Sequence, residues 1–135
     1  MVFLDTNVLL YASLDQDRRK RSIAGVILED CFRNASGMVS LQVLREFANV
    51  LFKKARLEAG EVRRIVHGFM ALPCASDSQA AFDLALDIKA QYDIQFYDAL
   101  IVATAELAGC DAIYSEDMGD GESYHNVRIV NPFKQ

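Results

Sequence analysis

Residues 1–12 read MVFLDTNVLLYA, in which Val2, Phe3 and Leu4 run straight into Asp5, Thr6 and Asn7 before the apolar pattern resumes. The stretch VFL reads as a short buried strand and NVLLYASL as a helix, with Asn7 placed to cap it. The strand thus ends on a carboxylate. In open parallel α/β sheets, ligands bind outside the carboxyl ends of the strands, where strand order reverses. The fold therefore turns on whether strand and helix keep alternating along the chain.

They do. RKRSIAGVILEDCFRNA carries Ile23, Val26, Ile27 and Cys31 near helical period, and Gly37 breaks it ahead of a strand, GMVS. Ser40 is placed to cap the next helix, LQVLREFANVLFKKA, with Leu44, Phe47, Ala48 and Leu51 as its inner stripe. EAGEVRRIVHGFMAL is a further helix, PCAS a weak strand, and DSQAAFDLALDIKAQY an amphipathic helix. FYDALIVATAELAG is apolar nearly all round, so it reads as a central buried helix stopped by Gly109. AIYS and VRIV are the last strands. Short apolar strands alternating with helices predict an α/β fold with a mostly parallel sheet and helices on both faces.

The 135 residues suit one domain, 1–135. No apolar run reaches membrane-spanning length, and no basic segment followed by a long apolar stretch marks a signal peptide. Cys31, Cys74 and Cys110 are odd in number and widely spaced, which predicts reduced core thiols in a cytoplasmic protein. Two histidines argue against a His-rich zinc site. A net charge of −5 opposes a nucleic-acid partner unless bound cations supply the positive field.

The acids make that exception credible. Asp5 and Asp117 each follow a strand end. Glu46 rides the edge of a helical stripe between Val43 and Val50. Asp98 opens the most apolar helix and shares a face with Ile101, Val102 and Ala105, an expensive setting for a carboxylate without a cation or several donors. Like charges in one crevice repel, and an all-oxygen set selects a hard ion, Mg²⁺ or Mn²⁺. Such an ion polarises phosphoryl oxygens, so the cluster points to phosphate-ester chemistry. Taken singly, each acid also has a structural reading, as helix cap, rim ion pair or loop residue.

The stretches LDTNVL, VLREF, YDALIVATA and IYSEDMGDG, in this order over nearly the whole chain, resemble the PIN domain family, and more narrowly the VapC-type toxins of bacterial toxin–antitoxin pairs. The ending VRIVNPF is similar to one subgroup of these. The resemblance implies a PIN-like three-layer fold with a five-stranded parallel sheet in the order 3-2-1-4-5. It also implies an endoribonuclease dependent on Mg²⁺ or Mn²⁺. In it, water activated by the metal hydrolyses RNA phosphodiester bonds, leaving a 5′-phosphate and a 3′-hydroxyl. The family's acids fall on Asp5, Glu46, Asp98 and Asp117. Asp5 and Asp98 would bind the ion directly, with Glu46 and Asp117 acting through waters or holding a second ion. Thr6 and Ser115 match hydroxyl positions beside the metal, and Asn7 matches the usual Asn that orients Asp5. Many relatives have a basic or amide residue where this chain has Glu116, which leaves Glu116 and Asp120 as alternatives for the fourth acid. Arg18, Arg19, Lys20 and Arg21 are candidates to hold the RNA backbone, beside the reading of a solvated helix face. Tyr11 and Tyr97 are placed to stack a base or to pack at the rim. The resemblance further implies an antitoxin protein as partner, and a homodimer. A PIN-like module that binds protein or RNA without turnover is the alternative.

Overall fold

A computed structural model describes residues 1–134. The chain runs β1 (Val2–Leu4), α1 (Thr6–Ser13), α2 (Arg18–Asn34), β2 (Gly37–Ser40), α3 (Leu41–Lys53), α4 (Ala59–Phe69), β3 (Cys74–Ala75), α5 (Gln79–Tyr92), α6 (Phe96–Leu107), β4 (Ala112–Tyr114), β5 (Ser123–Tyr124) and β6 (Val127–Val130). The sheet order is β3-β2-β1-β4-β6-β5. Five strands are parallel, in the arrangement anticipated from the family resemblance, but the sheet has six strands. The additional one, β5, pairs antiparallel with β6 at the edge, Ser123 opposite Arg128 and Tyr124 opposite Val127. Two residues carry no periodic signal, which is why the sequence does not announce it.

The central strands are apolar on both faces because both are covered. Phe3, Leu4, Val39, Ile113 and Ile129 are fully buried, as parallel strands between helical layers require. Helix α6 contributes Ala99, Ile101, Val102, Ala103 and Ala105 to the core, so the all-round apolar segment is the central helix its sequence predicts. Ser40 ends β2 and caps α3, its hydroxyl accepting from the Val43 amide at 3.2 Å. The cap of α1 differs from expectation. Asp5, in extended conformation, takes the position assigned to Asn7, and the helix starts at Thr6. The turn from strand to helix is therefore a single residue, which leaves the Asn7 side chain free for the loop after β4. Cys31 and Cys110 are buried, but Cys74 is exposed on the short edge strand β3, contrary to the expectation of a third core thiol. Among the described residues no helix is long and apolar enough to cross a membrane.

One close approach constrains the α2–β2 corner. A Cβ on Gly37 would lie 2.6 Å from the Cys31 sulfur and 2.7 Å from its Cβ. Both residues are buried, so the clash has no solvent to relax into. Gly37→Ala is expected to cost about 1–3 kcal/mol by overpacking. Urea denaturation checks this, and an unchanged midpoint would contradict it.

Candidate active site

Strands β1 and β4 are parallel neighbours, with Leu4 opposite Tyr114, so the next residues, Asp5 and Ser115, emerge side by side at the carboxyl edge. Asp5 is only 7% exposed. Its Oδ1 accepts from the Thr6 amide at 2.8 Å and its Oδ2 from the Ser115 hydroxyl at 2.7 Å. Burial drives its pKa up to about 6, against the lowering effect of the Ser115 and Thr6 hydrogen bonds, and the charges of Glu46 and Asp98 push the same way as burial.

Glu46 is exposed on α3 and reaches toward α1. Thr6 Oγ1 donates to its Oε2 at 2.9 Å and Gln42 Nε2 to its Oε1 at 3.2 Å. Gln42 lies four residues before Glu46 on the same helix face. It is buried and also donates to the Tyr97 carbonyl at 3.4 Å, tying α3 to the start of α6. Sequence reasoning missed Gln42, although its spacing from Glu46 was a readable signal. Asp98 sits in the first turn of α6, half-buried, and burial followed by the charges of Glu46 and Asp117 raises its pKa. Asn7 links α1 to the loop after β4. Its Nδ2 donates to Asp117 Oδ2 at 3.2 Å and to Ser115 Oγ at 3.4 Å, and its Oδ1 accepts from the Glu116 amide at 3.3 Å.

Asp5, Glu46, Asp98 and Asp117 line one cleft of about 330 Å³, with Thr6, Asn7, Gln42, Gln95 and Tyr97 around them. Among the described residues no lysine or arginine lines it. The two alternatives for the fourth acid point elsewhere. Glu116 pairs with Lys20 at 2.8 Å, and Asp120 accepts from the Asn131 amide and pairs with Lys134 at 3.1 Å. Within the basic run beginning at Arg18, Arg19 and Lys20 are held by the fold, and Arg18 and Arg21 are exposed. Arg19 donates to the Phe133 carbonyl at 2.6 Å, Lys20 is held by Glu116, and Arg21 lies 3.6 Å from Asp15, while Arg18 is exposed at the start of α2. Tyr97 is exposed on the cleft rim, and Tyr11 is bonded to Glu116.

The donor set suits a hard divalent cation, being all oxygen with negative charge that nothing in the cleft offsets. Among the described residues, however, no three Asp, Glu, His or Cys side chains close around one metal-sized point. The carboxylates ring the cleft instead of forming a cage. That arrangement fits Mg²⁺, which takes one or two carboxylates and keeps several of its waters.

A three-layer α/β domain with an acidic cleft at the carboxyl edge of its central strands is the class this geometry defines. The PIN domain family model matches residues 2–119, and the chain belongs to that family. Solved structures share the fold. A toxin–antitoxin complex from Klebsiella pneumoniae is 21% identical, with 98% of each chain covered and a TM-score of 0.70. The DNA-bound VapBC of Salmonella typhimurium is 18% identical over 95% of each chain, with a TM-score of 0.71. The Mycobacterium tuberculosis toxin VapC20, described as cleaving the sarcin–ricin loop, is 19% identical over 87% of this chain and 90% of its own, with a TM-score of 0.64. No curated protein matches the chain in sequence.

Proposed function

We propose that the protein is a metal-dependent endoribonuclease serving as the toxin of a toxin–antitoxin pair. The observation that carries this reading is the meeting of Asp5, Glu46, Asp98 and Asp117 in one cleft of a PIN fold. The toxin-pair structures that share the fold support the biological role.

Asp5 and Asp98 are the residues that would hold Mg²⁺ or Mn²⁺, with Glu46 and Asp117 engaging it through water. When bound, the ion polarises a phosphoryl oxygen and makes a nearby water more acidic. The chain's own part is positioning and proton transfer. Ser115 and the Thr6 amide fix both Asp5 oxygens, Thr6 and Gln42 fix Glu46, and Asn7 fixes Asp117. A carboxylate of the set takes the proton of the attacking water. The water oxygen bonds to phosphorus in line, the bond to O3′ breaks, and the departing O3′ is protonated. A 5′-phosphate and a 3′-hydroxyl result.

In this reading residues 1–135 act as one cytoplasmic domain, paired as a homodimer and restrained by an antitoxin that covers the cleft. The test is incubation of the protein with cellular RNA in Mn²⁺, in Mg²⁺ and in EDTA, alongside calorimetry with each ion. Cleavage that requires the ion, with 5′-phosphate ends, is the expected result. Ion binding absent from the calorimeter together with intact RNA would favour a non-catalytic PIN module.

A further inference from the structure

Glu116 stands between two cleft residues, Ser115 and Asp117, yet its side chain leaves the cleft. Its Oε1 accepts from Lys20 Nζ at 2.8 Å and from the Tyr11 hydroxyl at 3.1 Å. Lys20 Nζ also donates to the Tyr11 oxygen at 3.1 Å and lies 4.8 Å from the centre of its ring. The pair is well shielded, with side chains 22% and 25% exposed. Glu116 Oε2 is buried with no hydrogen-bond partner among the described residues, so Oε1 and these two donors carry the anchorage of that carboxylate. Tyr11 is itself fixed, edge-on against Phe133 at 4.9 Å.

The same peptide is gripped from the other side. Tyr11 and Asn7 are four residues apart on α1, hence on one face. Tyr11 holds the Glu116 side chain while Asn7 Oδ1 holds the Glu116 amide. The next amide, Asp117, donates to Ser115 Oγ at 3.2 Å, and that hydroxyl donates to Asp5. A displacement of Glu116 would thus be felt by Asp117, Ser115 and Asp5 in turn.

We infer that Lys20, Tyr11 and Glu116 are positioning residues, a clasp that sets the placement of Asp117 and Ser115 in the cleft. Lys20 also neutralises Glu116, so a fifth uncompensated acid is kept out of the site. The kinetic part of this inference rests on the ribonuclease reading, and the structural part does not.

The experiment uses Lys20→Met, Glu116→Gln and the double variant. Hydrogen exchange at the amides of positions 116 and 117 is expected to quicken by about tenfold or more in each single variant, while core amides of β1 and β4 keep their rates. In cleavage assays kcat is expected to fall by about 10–100-fold, the range seen when partners that orient a metal site's residues are removed. KM should move less than about threefold, and the double variant should lose no more than the worse single one. Unchanged exchange at both amides in either folded single variant would overturn the clasp, as would additive losses in kcat. Should wild type itself fail to cleave RNA while exchange responds as described, the clasp stands and the ribonuclease reading falls.

Discussion

Replacing Asp98 by Asn is expected to reduce RNA cleavage by about 10²–10³-fold, the scale on which a single electrostatic contribution to a phosphoryl or acyl transfer site is lost. Asn has the same shape and can occupy the same half-buried position in the first turn of α6. What it removes is a charge that burial, and then the neighbouring Glu46 and Asp117, already push toward protonation. Losing that repulsion leaves the fold at least as stable, so a fall in kcat at an unchanged or higher Tm isolates chemistry from folding. An Asp98→Asn protein that cleaves within threefold of wild type would sink the ribonuclease mechanism.

Asp5→Asn is expected to separate stability from activity more sharply. The folded pKa of Asp5 is raised from 3.8 to about 6. At about 1.4 kcal/mol per unit, its charge opposes folding by about 3 kcal/mol at pH 7 without a divalent ion. The sign follows from proton counts. Between these two values the folded state binds more protons than the unfolded one. The contribution is therefore fully favourable below pH 3.8 and is lost as pH rises through about 6. Asn caps a helix as well as Asp and can still accept from the Thr6 amide, but its amide nitrogen cannot accept from the Ser115 hydroxyl, so about 3 kcal/mol is the upper bound of the gain. In EDTA at pH 7.5 the variant should gain up to about 3 kcal/mol over wild type. The gain should fade toward pH 4 and, on the proposed function, also shrink as Mn²⁺ is added, because an ion bound at Asp5 would stabilise wild type. Urea denaturation at both pH values measures the difference, while cleavage falls as for Asp98→Asn. A variant less stable than wild type at pH 7.5 would show that the Asp5 charge is not the burden its burial implies. The residue best suited to an acidic nuclease site is thus one the apo fold bears at a cost.

Much of this could be read from the chain. Strands such as Val2–Leu4 and Val127–Val130, and the all-apolar helix Phe96–Leu107, carry periodicity or burial patterns strong enough to place them. Asp5 is legible because it follows a strand end and Asp98 because its helix is apolar, and both line the cleft. What stayed hidden depends on tertiary direction. Nothing local tells that Glu116 turns toward Lys20, 96 residues earlier, while its neighbour Asp117 faces the cleft. Nor does local sequence tell that Lys20, read as a candidate for RNA contact, is spent on that ion pair. For Gln42 the sequence carries only the four-residue spacing from Glu46, whereas its bond to the Tyr97 carbonyl depends on how α3 and α6 pack. The cap lies at Asp5, two residues before the expected Asn7, a difference that capping preference alone does not resolve, since Asp and Asn cap comparably well.

The two outermost strands, β3 and β5, hold only two residues each. A border that brief offers a passing chain almost no ladder of open amides and carbonyls on which to add itself. The apolar strands β1 and β4 are paired on both sides, and β2 and β6 are each partly covered on their outer side. The sheet therefore leaves another chain little edge to extend.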